Sequence, residues 1–174
     1  MKKFLMTVFS ICAVLVIGTV SNCFAIDVNE FKANPDRYIY YGSAGTGISM
    51  YIDKESINVH QYNPPYYIIA FKTLSYFDNG MYGYRHHESV SYRKNIERYF
   101  YNYDTKAMYR EKYDANHQPY WEYVDPALVN TCESLGKHQE IGMGEIAFYL
   151  AYNMGFYDSP VDYATKKYVS KYLK

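Results

Sequence analysis

The chain has 174 residues, 18 of them basic and 18 acidic, and 24 of them are tyrosine. This balanced charge excludes general binding to nucleic acid, which requires a concentrated positive field to neutralise phosphates. The length suits one ordinary domain that buries a core of its own.

The N-terminal residues have the layout of a secretory signal peptide. Lys2 and Lys3 form a short basic region, and an uncharged apolar run follows from Phe4 to Val20. Small and polar residues come next, as they do before a cleavage site. An uncleaved anchor helix is an alternative, because about 17 apolar residues approach the lower limit for spanning a bilayer.

The residues after the apolar run favour ordinary cleavage over lipoprotein processing. Ordinary cleavage requires small residues at the first and third positions before the cut, which Cys23 and Ala25 supply. Lipid attachment at Cys23 would place Asn22 where Gly, Ala or Ser is expected. We therefore predict a signal peptide over residues 1–25 and a single exported domain over residues 26–174. This domain would have no membrane span and would be periplasmic, surface-attached or secreted.

Removal of the leader leaves a slightly acidic chain with one cysteine. The leader contains two of the 18 basic residues, so 16 basic residues remain against 18 acidic ones. Cys12 and Cys23 also lie in the leader, and Cys132 alone stays in the exported part. A single thiol cannot form an internal disulfide. Stability must therefore come from packing and hydrogen bonds.

The first two thirds of the exported part have the pattern of β-strands, after a short helical turn before Pro35. Asn79 and Gly80 form a strong hairpin signal, because both residues tolerate positive φ, and they predict a return strand from Met81 to about Arg93. The alternation and the aromatic and branched residues predict an antiparallel meander of five to six strands. The other predicted strands are Ile48–Asp53, Tyr66–Phe77, Ile96–Tyr103, Ala107–Tyr113 and Tyr120–Val124.

The C-terminal third changes to helical periodicity. Apolar residues recur at helical spacing over Gly144–Phe156, which predicts a core helix across the sheet, preceded by a long loop over Asp125–Met143. Ser159 and Pro160 supply a cap and a first-turn proline for a C-terminal helix. Strands first and helices last predict the α+β class.

Basic residues and tyrosines interleave in the hairpin from Ser91 to Tyr113, which is the best candidate for a binding surface. On adjacent strands they would form a ribbon in which cations lie beside aromatic rings. We take Arg98, Tyr99, Tyr101 and Arg110 as the predicted binding residues. Cross-strand packing and protection of a sheet edge by charge are the alternative interpretation.

Three other patterns contain residue types that occur at chemical sites. The glycines between Tyr41 and Ser49 lead into a strand rather than a helix, which argues against a nucleotide loop. His86 and His87 point to opposite faces of a strand, so they predict no metal site, and no cofactor is predicted. Cys132 with His138 as its base would suit a thiol hydrolase or transferase, although no known motif surrounds them.

Several short motifs resemble a family of exported bacterial domains. These motifs are YIDKESI at Tyr51–Ile57, PPYYIIAF at Pro64–Phe71, the charged tyrosine-rich hairpin, and Trp121 before Asp125-Pro126. Together they resemble the surface-adhesin E-like family. The resemblance implies a β-rich envelope or secreted domain and, for its characterised members, adhesion to host extracellular proteins. The chain differs from that pattern in having no paired cysteine, and the resemblance transfers no binding residues.

These observations lead to a functional expectation. We expect an exported, non-enzymatic, adhesin-like binding module of the cell envelope or the secreted fraction. Its partner would be an extracellular protein, a glycan or a cell-wall polymer. A thiol hydrolase or transferase using Cys132 and His138 is the alternative from the enzyme class, and a purely structural envelope protein is the third possibility.

Overall fold

The computed structural model describes residues 25–45, 47–80, 86–93, 95–127, 137–161 and 163–172. The predicted signal peptide, apart from Ala25, lies outside this part of the chain, as does Cys132. Within the described residues there are ten strands, three α-helices and a short 3-10 turn at Lys54–Ser56. In chain order the strands and α-helices are β1 (Ala25–Ile26), α1 (Val28–Ala33), β2 (Tyr38–Ser43), β3 (Ile48–Asp53), β4 (Asn58–Asn63), β5 (Tyr66–Phe71), β6 (Thr73–Asp78), β7 (Glu88–Tyr92), β8 (Glu97–Asn102), β9 (Ala107–Tyr113), β10 (Pro119–Tyr123), α2 (Lys137–Tyr152) and α3 (Tyr163–Tyr172).

The strands form two antiparallel sheets of five strands each. Sheet A has the order β1-β7-β6-β3-β2, and sheet B has the order β10-β9-β8-β5-β4. The α+β class, the antiparallel pairing, the core helix and the C-terminal helix are therefore confirmed. The strands β2 and β4, which the sequence did not predict, lie at one edge of each sheet.

Lys72 divides the predicted strand Tyr66–Phe77 and explains why there are two sheets rather than one. Its backbone N–H donates to the Ser56 hydroxyl at 2.7 Å, and its carbonyl accepts from the Asp53 N–H at 3.0 Å. Because the N–H bonds to the 3-10 turn and the carbonyl bonds to the last residue of β3, neither group pairs within sheet B, and β5 ends before Lys72. The following strand, β6, pairs within sheet A.

Helix α2 lies in the main core, which joins the inner faces of both sheets. It begins at Lys137, so residues 137–143 are helical and the prediction of a loop up to Met143 is wrong there. Every residue from Glu140 to Tyr149 is buried. From Glu140 to Met143 the helix is buried on all sides, so this part lacks the amphipathic periodicity that marks a surface helix.

A second, smaller core lies on the other face of sheet A. There Phe31 of α1 packs against Tyr38, Leu74 and Val90. Ile26, the first residue predicted to remain after cleavage, pairs with Val90 and packs against this cluster. Sheet A is thus covered on both faces, by the main core and by α1. Among the described residues, no helix is long and apolar enough to cross a membrane.

Candidate binding surface

Two of the predicted binding residues, Tyr99 and Tyr101, belong to the core. Both are 0% exposed and point from β8 towards α2. The Tyr99 hydroxyl donates to the Glu140 carbonyl at 2.9 Å, and the Tyr101 hydroxyl donates to the Gly144 carbonyl at 2.8 Å. Burial raises the pKa of both hydroxyls well above the ordinary tyrosine value. The prediction that these rings form an exposed surface is therefore corrected: they hold α2 against sheet B.

Arg110 also faces inward and takes part in a buried ion-pair network. Its guanidinium lies 2.8 Å from a carboxylate oxygen of Glu97 and 2.6 Å from one of Glu140. The Lys112 ammonium lies 2.6 Å from the same Glu140 oxygen. Glu122 of β10 joins this network through Lys112 at 3.6 Å, and the network connects β8 and β9 to α2. Arg110 is therefore a structural residue rather than a surface contact.

Arg98 is the one predicted binding residue that lies on the outer face of sheet B. Its guanidinium donates to Glu111 at 2.6 Å, and its central carbon lies 5.9 Å from the centre of the Trp121 ring. A cation at this distance from an indole face is attracted to it. Arg98 thus remains a candidate, beside an aromatic residue on the neighbouring hairpin.

The outer face of sheet B carries a connected set of aromatic rings, none of which is among the four predicted binding residues. We call Tyr66, Phe100, Tyr109, Trp121 and Tyr123 the outer aromatic ladder. Phe100 is its centre, with ring centroids 6.1 Å from Tyr66, 5.6 Å from Tyr109 and 5.9 Å from Trp121. The Tyr109 and Tyr123 centroids are 5.5 Å apart. These separations are typical of interacting aromatic pairs.

Strand register holds the outer aromatic ladder in place. Phe100 lies directly opposite Ile68 on one side and Tyr109 on the other, and Tyr109 lies opposite Tyr123. The four residues form one row across four hydrogen-bonded strands. Directly opposite side chains are close neighbours on a sheet, so the row forms a pre-arranged surface.

Three rings of the outer aromatic ladder are substantially accessible to solvent. Tyr66 is 42%, Trp121 39% and Tyr123 47% exposed, while Phe100 and Tyr109 are half-buried beneath them. The nearby charges of Arg98 and Glu111 bond to each other. The surface therefore offers ring faces and phenolic hydroxyls, which suit stacking on a flat apolar partner and hydrogen bonding at its rim.

An open groove adjoins the Arg98 end of the outer aromatic ladder. It has a volume of about 910 Å³. Its lining combines two histidines with polar and apolar residues around the ion pair, namely His60, Asn95, Ile96, Arg98, Glu111, Tyr113 and His117. The groove extends the surface on which a long ligand would lie.

Asp78, His86 and Glu88 form a cluster at the β6–β7 hairpin with ligand atoms within 4.8 Å of one another. Asp78 lies opposite Glu88 in the sheet, and the His86 imidazole lies 3.4 Å from an Asp78 oxygen. A Glu88 oxygen already accepts hydrogen bonds from the Lys32 ammonium and the Tyr76 hydroxyl. We interpret this cluster as an ion-pair network that ties α1 to the hairpin.

The thiol site lies beyond the described structure. Cys132 falls in the segment 128–136, and although His138 is in α2, its side chain is not among those described. Comparison with known proteins adds no further candidate, because no family model, curated protein or solved structure matches the chain. The candidate site therefore depends on the chain's own residues.

Proposed function

We propose that the protein is an exported, non-enzymatic binding module of the cell envelope or the secreted fraction, and that it binds its ligand with the outer aromatic ladder. The observation that carries this proposal is the connected set of rings on an outward sheet face, with Tyr66, Trp121 and Tyr123 each more than a third exposed. Exposed aromatic patches on a protein surface commonly mark interaction sites. Tyr and Trp also dominate the binding energy of interfaces.

The chemistry of the surface favours a glycan or a cell-wall polymer as the ligand. Pyranose rings have apolar C–H faces that stack on aromatic rings, and their hydroxyls hydrogen-bond to phenolic groups. The rings of the outer aromatic ladder are spread over four neighbouring strands, β5, β8, β9 and β10, which suits an extended polymer. The Arg98 charge is engaged by Glu111, so the surface has less to offer an acidic protein segment.

The binding experiment compares two exposed tyrosines of the same strand. Tyr123 and Tyr120 are both 47% exposed on β10, but only Tyr123 lies in the outer aromatic ladder. Tyr120 pairs with Lys112 on the opposite face. The exported protein would be tested against glycans, insoluble wall fragments and extracellular matrix proteins.

We expect Tyr123→Ala and Trp121→Ala each to weaken glycan or wall binding by about five- to thirtyfold, the equivalent of about 1–2 kcal/mol for an interface anchor. Tyr120→Ala should bind as the unmodified protein does. Equal losses in Tyr120→Ala and Tyr123→Ala would reject the outer aromatic ladder as the site. Binding to matrix proteins alone would indicate that the partner is a protein rather than a glycan or a wall polymer.

Export is tested by the mass of the mature chain. Cleavage after Ala25 gives a chain that begins at Ile26, whereas lipoprotein processing gives a lipid-modified Cys23. We expect intact-mass spectrometry of the exported protein to show the Ile26 start without lipid. A mass that includes the leader would support the anchor helix instead.

A further inference from the structure

A second cavity lies on the far side of the molecule from the outer aromatic ladder. Helices α1 and α3 and the strands β2 and β3 of sheet A enclose a groove of about 530 Å³. Small-molecule sites commonly have volumes of about 300–1,000 Å³. The groove is therefore large enough for a small organic ligand.

Aromatic rings form the floor of this groove. Phe31 lies at its centre, with ring centroids 5.1 Å from Tyr38 and 4.9 Å from Tyr51. Tyr40 contacts Tyr51 edge to face at 5.7 Å. Phe31 and Tyr38 are buried, whereas Tyr40 is exposed at the mouth. A planar aromatic ligand would meet both ring faces and ring edges here, and aromatic pairs in such geometries add about 0.5–1.5 kcal/mol beyond burial.

The rim of the groove is basic. Lys167 and Lys171 lie one helical turn apart on α3, and residues four apart share one helix face. Lys32 of α1 lies on the opposite side, with its ammonium 2.5 Å from Glu88. Among the described residues that line the groove there is no carboxylate. On the α3 side, Lys167 therefore places positive charge above an aromatic floor.

We propose that this groove binds a small organic anion with a planar aromatic body. The ring system packs on the floor formed by Phe31, Tyr40 and Tyr51, and the anionic group lies near the Lys167 ammonium. Charge complementarity selects the anion, and the aromatic floor selects the flat body. This site is separate from the outer aromatic ladder, so either assignment can fail without affecting the other.

Three naphthalene probes with different charges test the proposal. They are 2-naphthoate, its neutral carboxamide and 2-naphthylmethylammonium, titrated into the exported protein by calorimetry at low salt. We expect the anion to bind most tightly, then the amide, then the cation. Added salt should reduce the preference for the anion, because exposed charges are screened. Equal affinities for the three probes, or no binding of the anion, would overturn the proposal.

A pair of adjacent lysines locates the binding site. Lys167 lines the groove, whereas Lys166 is exposed on the same helix and does not line it. We expect Lys167→Gln to weaken 2-naphthoate binding by about threefold, which is the contribution of one exposed ion pair. Binding of the neutral carboxamide should be unchanged. Lys166→Gln should change neither affinity. The same loss in both variants would show general charge attraction and would reject the groove.

Discussion

Replacing Gly144 with alanine tests the contact that holds α2 against sheet B. An added Cβ would lie 2.2 Å from the Met108 sulfur and 2.8 Å from the nearest Tyr99 ring carbon. Favourable contacts between carbon atoms occur at about 3.5–4.0 Å. Met108 and Tyr99 are both 0% exposed, and the Tyr99 hydroxyl is bonded to the helix. Neither side chain can move away without disturbing the core.

The expected cost follows from two opposing effects. Forcing an extra methyl group into a packed core costs about 1–3 kcal/mol, while alanine gains about 1 kcal/mol over glycine in a helix interior. Because two buried side chains meet the new methyl, we place the packing cost at the upper end. The net loss of unfolding free energy should be about 1–2 kcal/mol. For a domain of this size, the melting temperature should fall by about 2–8 °C.

Urea unfolding of Gly144→Ala measures the loss, with the fluorescence of Trp121 as the probe of sheet B. Met108→Ala and the double variant complete a double-mutant cycle. Met108→Ala alone should cost about 2–5 kcal/mol, because it leaves a cavity. In the double variant the alanine methyl occupies part of that cavity. We expect a favourable coupling of about 1 kcal/mol between the two sites.

Two results would refute this reasoning. One is a Gly144→Ala variant that is as stable as the unmodified protein or more so. The other is a cycle that is additive within about 0.3–0.5 kcal/mol, as found for residues that do not touch. Either result would mean that the helix does not approach the sheet so closely.

The buried polar contacts give three further predictions. Urea unfolding should show that Glu140→Gln lowers the unfolding free energy by about 3 kcal/mol, because it removes the carboxylate that lies 2.6 Å from both cations and leaves Lys112 with Glu122 at 3.6 Å. The control Glu30→Gln, at an exposed position, should change the unfolding free energy by less than about 0.5 kcal/mol. Burial alone would raise the pKa of Asp53, but hydrogen bonds, chiefly from Arg37, hold it below the ordinary value of 3.8. The ionised Asp53 carboxylate therefore stabilises the fold at pH values above its ordinary pKa, and this stabilisation is lost as the pH falls through the lowered pKa of the folded state. Asp53→Asn should flatten the acid limb of a curve of unfolding free energy against pH. An unchanged limb would contradict this assignment. Tyr101→Phe removes the hydrogen bond to the Gly144 carbonyl and should lower the unfolding free energy, measured by thermal unfolding, by about 1 kcal/mol. An unchanged melting temperature would argue against that bond.

Local alternation determined much of the strand pattern from sequence alone. The predicted strands Ile48–Asp53 and Ala107–Tyr113 match β3 and β9 residue for residue. Polar edge strands are harder to predict, because their side chains need not alternate in hydrophobicity. The strand β4 has the sequence NVHQYN, with five of its six residues exposed, and it was missed.

The face on which each side chain lies was decided only by the tertiary structure. In β8 the aromatic residues Tyr99, Phe100 and Tyr101 are consecutive, so both faces of the strand carry aromatic rings. The alternation of side chains therefore cannot distinguish the core face from the outer face. Helix α2 makes the distinction, because its carbonyls accept from Tyr99 and Tyr101 and its Glu140 pairs with Arg110. The sequence by itself thus gave a tyrosine-rich composition and predicted the α+β class and the hairpin strands. Tyr99 and Tyr101 of β8 point towards α2. Because successive side chains of a strand point to opposite faces, Phe100 between them points outward.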